Sequence, residues 1–185
     1  MVLALVLIII AIVVIAFIAI YNSLVVKRKR VQNAWSQIDV QLKRRHDLIP
    51  NLVNAVKGYM KFEQETLQKV VEARSKAVGA GNLQDRMKAE GELSGLLSRL
   101  LVVMEQYPDL KASQNVAQLT EELTSTENKI SYARQFYNDT VMKYNTALEV
   151  FPSNIVASMF RFEPYPFFEI TSEEERNAPK VDLNF

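Results

Sequence analysis

Cysteine is absent from this 185-residue chain. Disulfide frameworks, thiolate metal sites and thiol nucleophiles are therefore excluded. Histidine occurs once, at His46, and a lone imidazole cannot build a zinc site without partners at ligand spacing. A His-Glu-x-x-His pair, a Gly-rich phosphate loop and a nucleophile elbow are all missing. The expectation is a chain without cofactor or resident metal that is not an enzyme. Glycine and proline are few, five and six, and they gather where turns would fall. No stretch sustains strand alternation, so the fold class expected is all-α.

Charge is missing where it matters most. Residues 1–20 carry no charge, no Pro, no Gly and no hydrogen-bonding side chain. At 1.5 Å per residue that run spans roughly 30 Å, the thickness of a bilayer's hydrocarbon core. A cleaved signal peptide would have a positive n-region, a shorter apolar run and a small-x-small site, none of which fits here. Residues 1–20 are expected to be an uncleaved transmembrane anchor. No Lys or Arg precedes it, whereas Lys27, Arg28, Lys29 and Arg30 follow it. The positive-inside rule then puts the N-terminus outside and the remaining chain in the cytoplasm, as a single-pass protein of the bacterial inner membrane. The same four residues are candidate membrane-surface contacts, worth about 1 kcal/mol each beside anionic head groups. They lack interleaved aromatics, and nucleic-acid binding is not expected.

Beyond the anchor, residues 21–150 read as an elongated, antiparallel up-and-down bundle of three to four helices. Val31, Ala34/Trp35, Ile38, Leu42, Arg45 and Ile49 recur at helical spacing. Pro50 removes a backbone donor and should kink or restart the helix, which gives helices at about 21–48 and 49–78. Gly79-Ala80-Gly81-Asn82 is a loop. Leu83 to Met104 belong to a third helix at about 83–106, closed by Tyr107-Pro108-Asp109. The fourth, about 111–150, keeps near-heptad spacing through Leu123, Ile130, Tyr137 and Tyr144, as a coiled coil would. The anchor is expected to continue into the first of these without a break.

Three groups are candidate sites. Asp39, Arg44, Arg45, Glu127 and Arg134 read as a charge network between the first and last helices that fixes register, or alternatively as a surface for an acidic partner. His46 is expected to be a capping or hydrogen-bonded histidine. The segment 151–185 reads as an extended tail, aromatic then acidic. Pro164 and Pro166 prevent a helix there, and Phe160, Phe162, Tyr165, Phe167 and Phe168 crowd into a dozen positions. Such residues do not stay exposed without cost. They either cover a groove of the chain's own bundle or dock on a second copy or another protein.

Several blocks resemble the LemA family of bacterial membrane proteins. They include Tyr21-Asn22-Ser23-Leu24-Val25, the run from Ala34 to Val53 with His46-Asp47-Leu48-Ile49-Pro50 inside it, Lys57-Gly58-Tyr59, Thr126-Glu127-Asn128-Lys129-Ile130, Tyr137-Asn138, Tyr144-Asn145 and Phe160 to Phe168. The resemblance implies one N-terminal anchor, an antiparallel helical bundle and no established catalytic role. It also implies an association with the membrane zinc metalloprotease HtpX. The expected function is a membrane-anchored scaffold or adaptor, acting through homo-oligomers or a membrane protein partner. The alternative is a lipid-surface or envelope-organising protein that needs no protein partner.

Overall fold

A computed structural model describes residues 1–168, with six helices and no strand among the described residues. The acidic end of the tail, residues 169–185, lies outside them. The apolar run and the stripe after it form one helix, α1, Val2–Val56. An 18-residue window in its N-terminal part is strongly apolar, and none of its residues is fully buried. By length and composition it suits a bilayer.

Pro50 lies inside α1 and does not divide it, so the expected boundary between residues 48 and 49 is absent. The physical reason is a compensating contact from the helix that follows. A proline at 50 leaves the carbonyl of His46 without its N–H partner, and the side chain of Arg74 supplies one, donating from Nε at 2.7 Å. The helix runs on to Val56. The break comes instead at residues 57–63, ahead of α2, Gln64–Gly79.

Helix α3, Leu83–Met104, starts at Asn82, whose side-chain oxygen accepts from the Asp85 N–H at 2.8 Å. Tyr107-Pro108, expected only to close a helix, opens a short one, α4, Pro108–Ala112, with the proline at its first position. Helix α5 covers Gln114–Glu149. The tail is not extended from residue 151, because α6 occupies Ser153–Met159. The Ser153 hydroxyl contacts the carbonyls of Ala147 and Val150 at 2.7 and 3.0 Å, which ties the start of α6 to the end of α5. Arg161, at φ 52, ends α6. The N–H groups of Phe162 and Arg161 reach back to the carbonyls of Ala157 and Ser158 at 3.0 and 3.3 Å, the pattern of a Schellman cap.

The chain sorts into two compact units. One holds residues 1–39 and 132–167. There, Leu24, Val31, Ala34, Ile38, Tyr137, Val141 and Tyr144 are buried, and Leu24 packs with Val156 and Ala157 of α6. The other holds residues 40–131 and Phe168. Its core joins Ile49, Leu52 and Val56 of α1 to Leu67 and Val70 of α2, Leu93, Leu97 and Leu100 of α3, and Leu123 of α5.

The compensation at Pro50 is testable by a double-mutant cycle. Arg74→Met should lower unfolding free energy by about 1–3 kcal/mol in the native chain, the cost of orphaning a buried acceptor. The loss should be smaller beside Pro50→Ala, where residue 50 regains its N–H. Equal losses in both backgrounds, read by urea denaturation in detergent, would remove the explanation.

Candidate functional site

Two polar arrangements and one pinned segment carry the chemistry. The first is a buried ion cluster in the unit of residues 40–131. Arg45 is 0% exposed, and an unpaired buried guanidinium would be untenable. Its Nη2 donates to the Glu90 carboxylate and, at 3.2 Å, to the Glu90 carbonyl. Its Nη1 donates to Ser94 Oγ at 2.6 Å and to the two Glu127 oxygens at 2.9 and 3.1 Å. Ser94 in turn donates to Glu127 at 3.1 Å. His46 Nε2 lies 3.1 and 3.3 Å from the two Glu90 oxygens. Burial pushes the Glu90 carboxyl up, but the His46 hydrogen bond and the charges of Arg45 and His46 outweigh it and hold the group below the ordinary 4.5.

Of the expected network, the structure joins Arg45 to Glu127. Arg44 pairs instead with Glu122 at 3.5 Å, both side chains about half in water, an arrangement of small energetic consequence. Asp39 and Arg134 belong to the other unit. Glu90, the carboxylate nearest the centre, was not among the residues expected from sequence. Its signal was available: it falls on the stripe Met87, Glu90, Leu93/Ser94, Leu97, where a charge needs a buried partner. No group of three or more His, Asp or Glu side chains arranged to hold a metal occurs among the described residues.

The second arrangement is a basic groove in the unit of residues 1–39 and 132–167, about 690 Å³ in volume. Lys27, Arg30 and Asn33 of α1 line one side, with Phe136, Thr140 and Lys143 of α5 opposite. Among the described residues three cations border it and no carboxylate does. Helical geometry divides the four basic residues expected to act together. Lys27 and Arg30, three apart, share a face, whereas the Arg28 guanidinium sits 5.0 Å over the Phe162 ring. Lys29 is exposed. Lys143 joins the group from α5, which sequence spacing along α1 could not reveal. Trp35, on the helical stripe read from the sequence, meets the Tyr137 ring edge-on at 5.7 Å.

The third feature is how the tail is held. Residues 163–166 run beside α5, and three side chains of that helix take their backbone groups. Tyr137 donates to the Pro166 carbonyl at 3.0 Å and Tyr144 to the Glu163 carbonyl at 3.1 Å. Asn145 grips Tyr165 on both sides, donating to its carbonyl at 2.9 Å and accepting its N–H at 3.1 Å. Burial first, then neighbouring Tyr165, push the Tyr137 hydroxyl well above the ordinary 10.0, so it stays a donor. Gln32 reaches the Tyr165 hydroxyl at 3.2 Å. The Phe160 and Phe162 rings meet Tyr21 tilted and edge-on, at 4.6 and 6.0 Å. Phe168 is buried in the other unit, while Phe167 remains 46% exposed. The tail aromatics up to Tyr165 are thus engaged within their own unit.

A family model described as the LemA family matches residues 34–183. Protein LemA of Metamycoplasma hominis is 29% identical over 163 residues, covering 88% of this chain and 74% of that protein. The magnetosome protein MamQ 2 of Paramagnetospirillum magneticum is 26% identical, over 84% of this chain and 68% of its own length. Magnetosome protein MamQ of Magnetospirillum gryphiswaldense is 24% identical, over 80% and 64% respectively.

Two outcomes follow from the geometry. A carboxylate whose folded value is depressed contributes stability above its unfolded value and loses it as pH falls through the folded one. Stability should therefore fall as pH drops below about 4.5 through the window set by Glu90. Glu90→Gln should be less stable at pH 7 and should flatten that acid limb. Melting curves of parallel slope for both proteins across the window would contradict the assignment. Separately, Asn145→Ala should release residues 163–166 and speed tryptic cleavage after the already exposed Arg161, while helicity by circular dichroism stays unchanged. Unaltered cleavage would show that the clamp is not what holds the tail.

Proposed function

The chain belongs to the LemA family, and we propose that it is a membrane-anchored scaffold or adaptor that recruits an acidic segment of a membrane protein, or of another copy of itself. The observation that carries this reading is the groove between α1 and α5. Lys27, Arg30 and Lys143 supply a single sign of charge, and Phe136, 54% exposed beside them, supplies an apolar anchor. Charge of one sign steers a partner and excludes like-charged competitors. A large exposed aromatic ring in a concave site provides the contact that most often dominates affinity. The strongest buried charges, by contrast, are consumed within the bundle by Arg45, Glu90 and Glu127. The family resemblance makes a zinc metalloprotease of the HtpX type the partner to test first. The positive residues after the span favour a cytoplasmic bundle with the N-terminus outside the inner membrane.

One observation favours the second reading, a protein that works on lipid alone. Lys27 follows Ile20 by about 10 Å of helix, which is within reach of phospholipid head groups. The readings separate in one experiment. A photo-crosslinking residue replaces Phe136 in the full-length protein, expressed in bacterial membranes with and without Lys27→Glu and Lys143→Glu. Protein adducts that disappear on charge reversal, with helicity retained, support recruitment. Adducts that persist unchanged overturn it, and adducts to lipid only would favour the surface reading.

A further inference from the structure

The corner between α5 and α6 exposes an apolar surface that no described part of the protein covers. From Val150 to Phe160 the sequence has no charged side chain. Within that run Phe151 is 80% exposed, Ile155 54% and Met159 63%. Ile155 and Met159, four residues apart, share one face of α6. Val156 and Ala157 point the other way and are buried with Leu24. The short helix is therefore apolar on both sides, with one face seated on α1 and the other open. Each large side chain left in water forgoes about 1.5–3 kcal/mol of burial.

The position of this surface identifies its occupant. Helix α6 is seated where the apolar run of α1 ends. The Phe160 ring lies 6.0 Å from Phe17 and 4.6 Å from Tyr21, and Ile20 packs on the same cluster. On α1, Ile15 and Ile18 are open, at 67% and 51%, so exposed apolar side chains lie on both segments that flank this cluster. Charge lies just outside it on both segments, at Lys27 on α1 and at Glu149 and Arg161 on either side of the corner. Tyr21 and the tail rings sit at this level, the depth at which amphipathic aromatics gather at a membrane–water boundary. The hydroxyls of the corner are taken up by the chain's own backbone: Ser153 contacts the Ala147 carbonyl at 2.7 Å and Ser158 the Asn154 carbonyl at 2.9 Å. A protein partner would use hydrogen-bonding groups at the rim of such a patch; a lipid phase has no use for them.

We propose that residues 150–160 form a second membrane contact, lying in the interfacial layer of the bilayer that α1 enters, with Phe151, Ile155 and Met159 among the upper acyl chains. The proposal rests on α1 crossing that bilayer. A lone span leaves its unit free to rotate about the helix axis. A second contact, far off in sequence but adjacent in space, fixes which face of this unit is turned toward the lipid.

Because the chain has no cysteine, single-cysteine variants carry one label each. The full-length protein bearing Ile155→Cys or Met159→Cys is labelled with bimane and reconstituted into phosphatidylcholine vesicles with brominated acyl chains. Ile10→Cys serves as the reference within the span and Asp139→Cys as the reference in water. The labels at 155 and 159 should lose most of their emission to brominated lipid and be shielded from iodide, as at 10 and unlike 139. If 10 is quenched while 155 and 159 respond to iodide, the second contact is overturned and the span stands. If 155 and 159 are shielded from iodide yet untouched by brominated lipid, protein covers the patch, and the proposal is equally overturned. If 10 is not quenched, the span reading falls and the second contact falls with it.

Discussion

The unit of residues 40–131 is organised around one buried guanidinium, whose two terminal nitrogens are paired. Arg45 has no contact with water, and the fold has to surround it with acceptors. Its partners come from two other helices: Glu90 and Ser94 on α3, and Glu127 on α5. The adjacent residue completes the set, since the His46 side chain meets Glu90 and its carbonyl receives Arg74 from α2. One turn of α1 thus touches every other long helix of its unit through a directional polar contact. Apolar packing alone would give no such convergence, because dispersion and burial are indifferent to direction.

The other unit solves a different problem with the same kind of chemistry. Residues 163–166 include Pro164 and Pro166, so they form neither helix nor regular ladder. Their carbonyl and N–H groups still need partners where the chain lies against α5. Helix α5 provides them through side chains, with Tyr137 and Tyr144 seven residues apart and Asn145 beside the second. A heptad-spaced pair of tyrosines therefore does double duty: the rings fill the seam and the hydroxyls bind a backbone.

Much of this was readable from sequence. The uncharged run of residues 1–20, the all-helical pattern and the odd placement of Arg45 on an apolar stripe are each local signals. What stayed hidden depends on contacts between distant segments. Pro50 predicts a break by its own chemistry, and only Arg74, 24 positions away, explains why α1 continues. Lys27 to Arg30 look like one patch along the chain, yet the helix turns Arg28 onto Phe162 and brings Lys143 to Lys27 and Arg30. Tyr144 and Asn145 read as a seam position and its polar neighbour, because nothing local reveals that the chain returns to them after α6. Glu90 is the exception. Its stripe position was visible, and weighing each charge on an apolar face would have found it.

The ion cluster needs an account beyond stability, since burying it is expensive. Replacing a buried ion group with apolar residues of similar volume is often neutral or stabilising, whereas removing one member costs about 3–5 kcal/mol. That asymmetry suits helices with near-heptad stripes. Sliding α5 by one heptad against α1 would exchange one set of apolar contacts for a similar one, at little cost in burial. The same slip would move Glu127 by roughly 10 Å, two turns of helix, and leave Arg45 short of a carboxylate in the dry interior. The penalty then falls on the wrong register and not on the right one. A protein whose proposed work is to present one surface beside a membrane gains more from that discrimination than from a few additional kcal/mol of core.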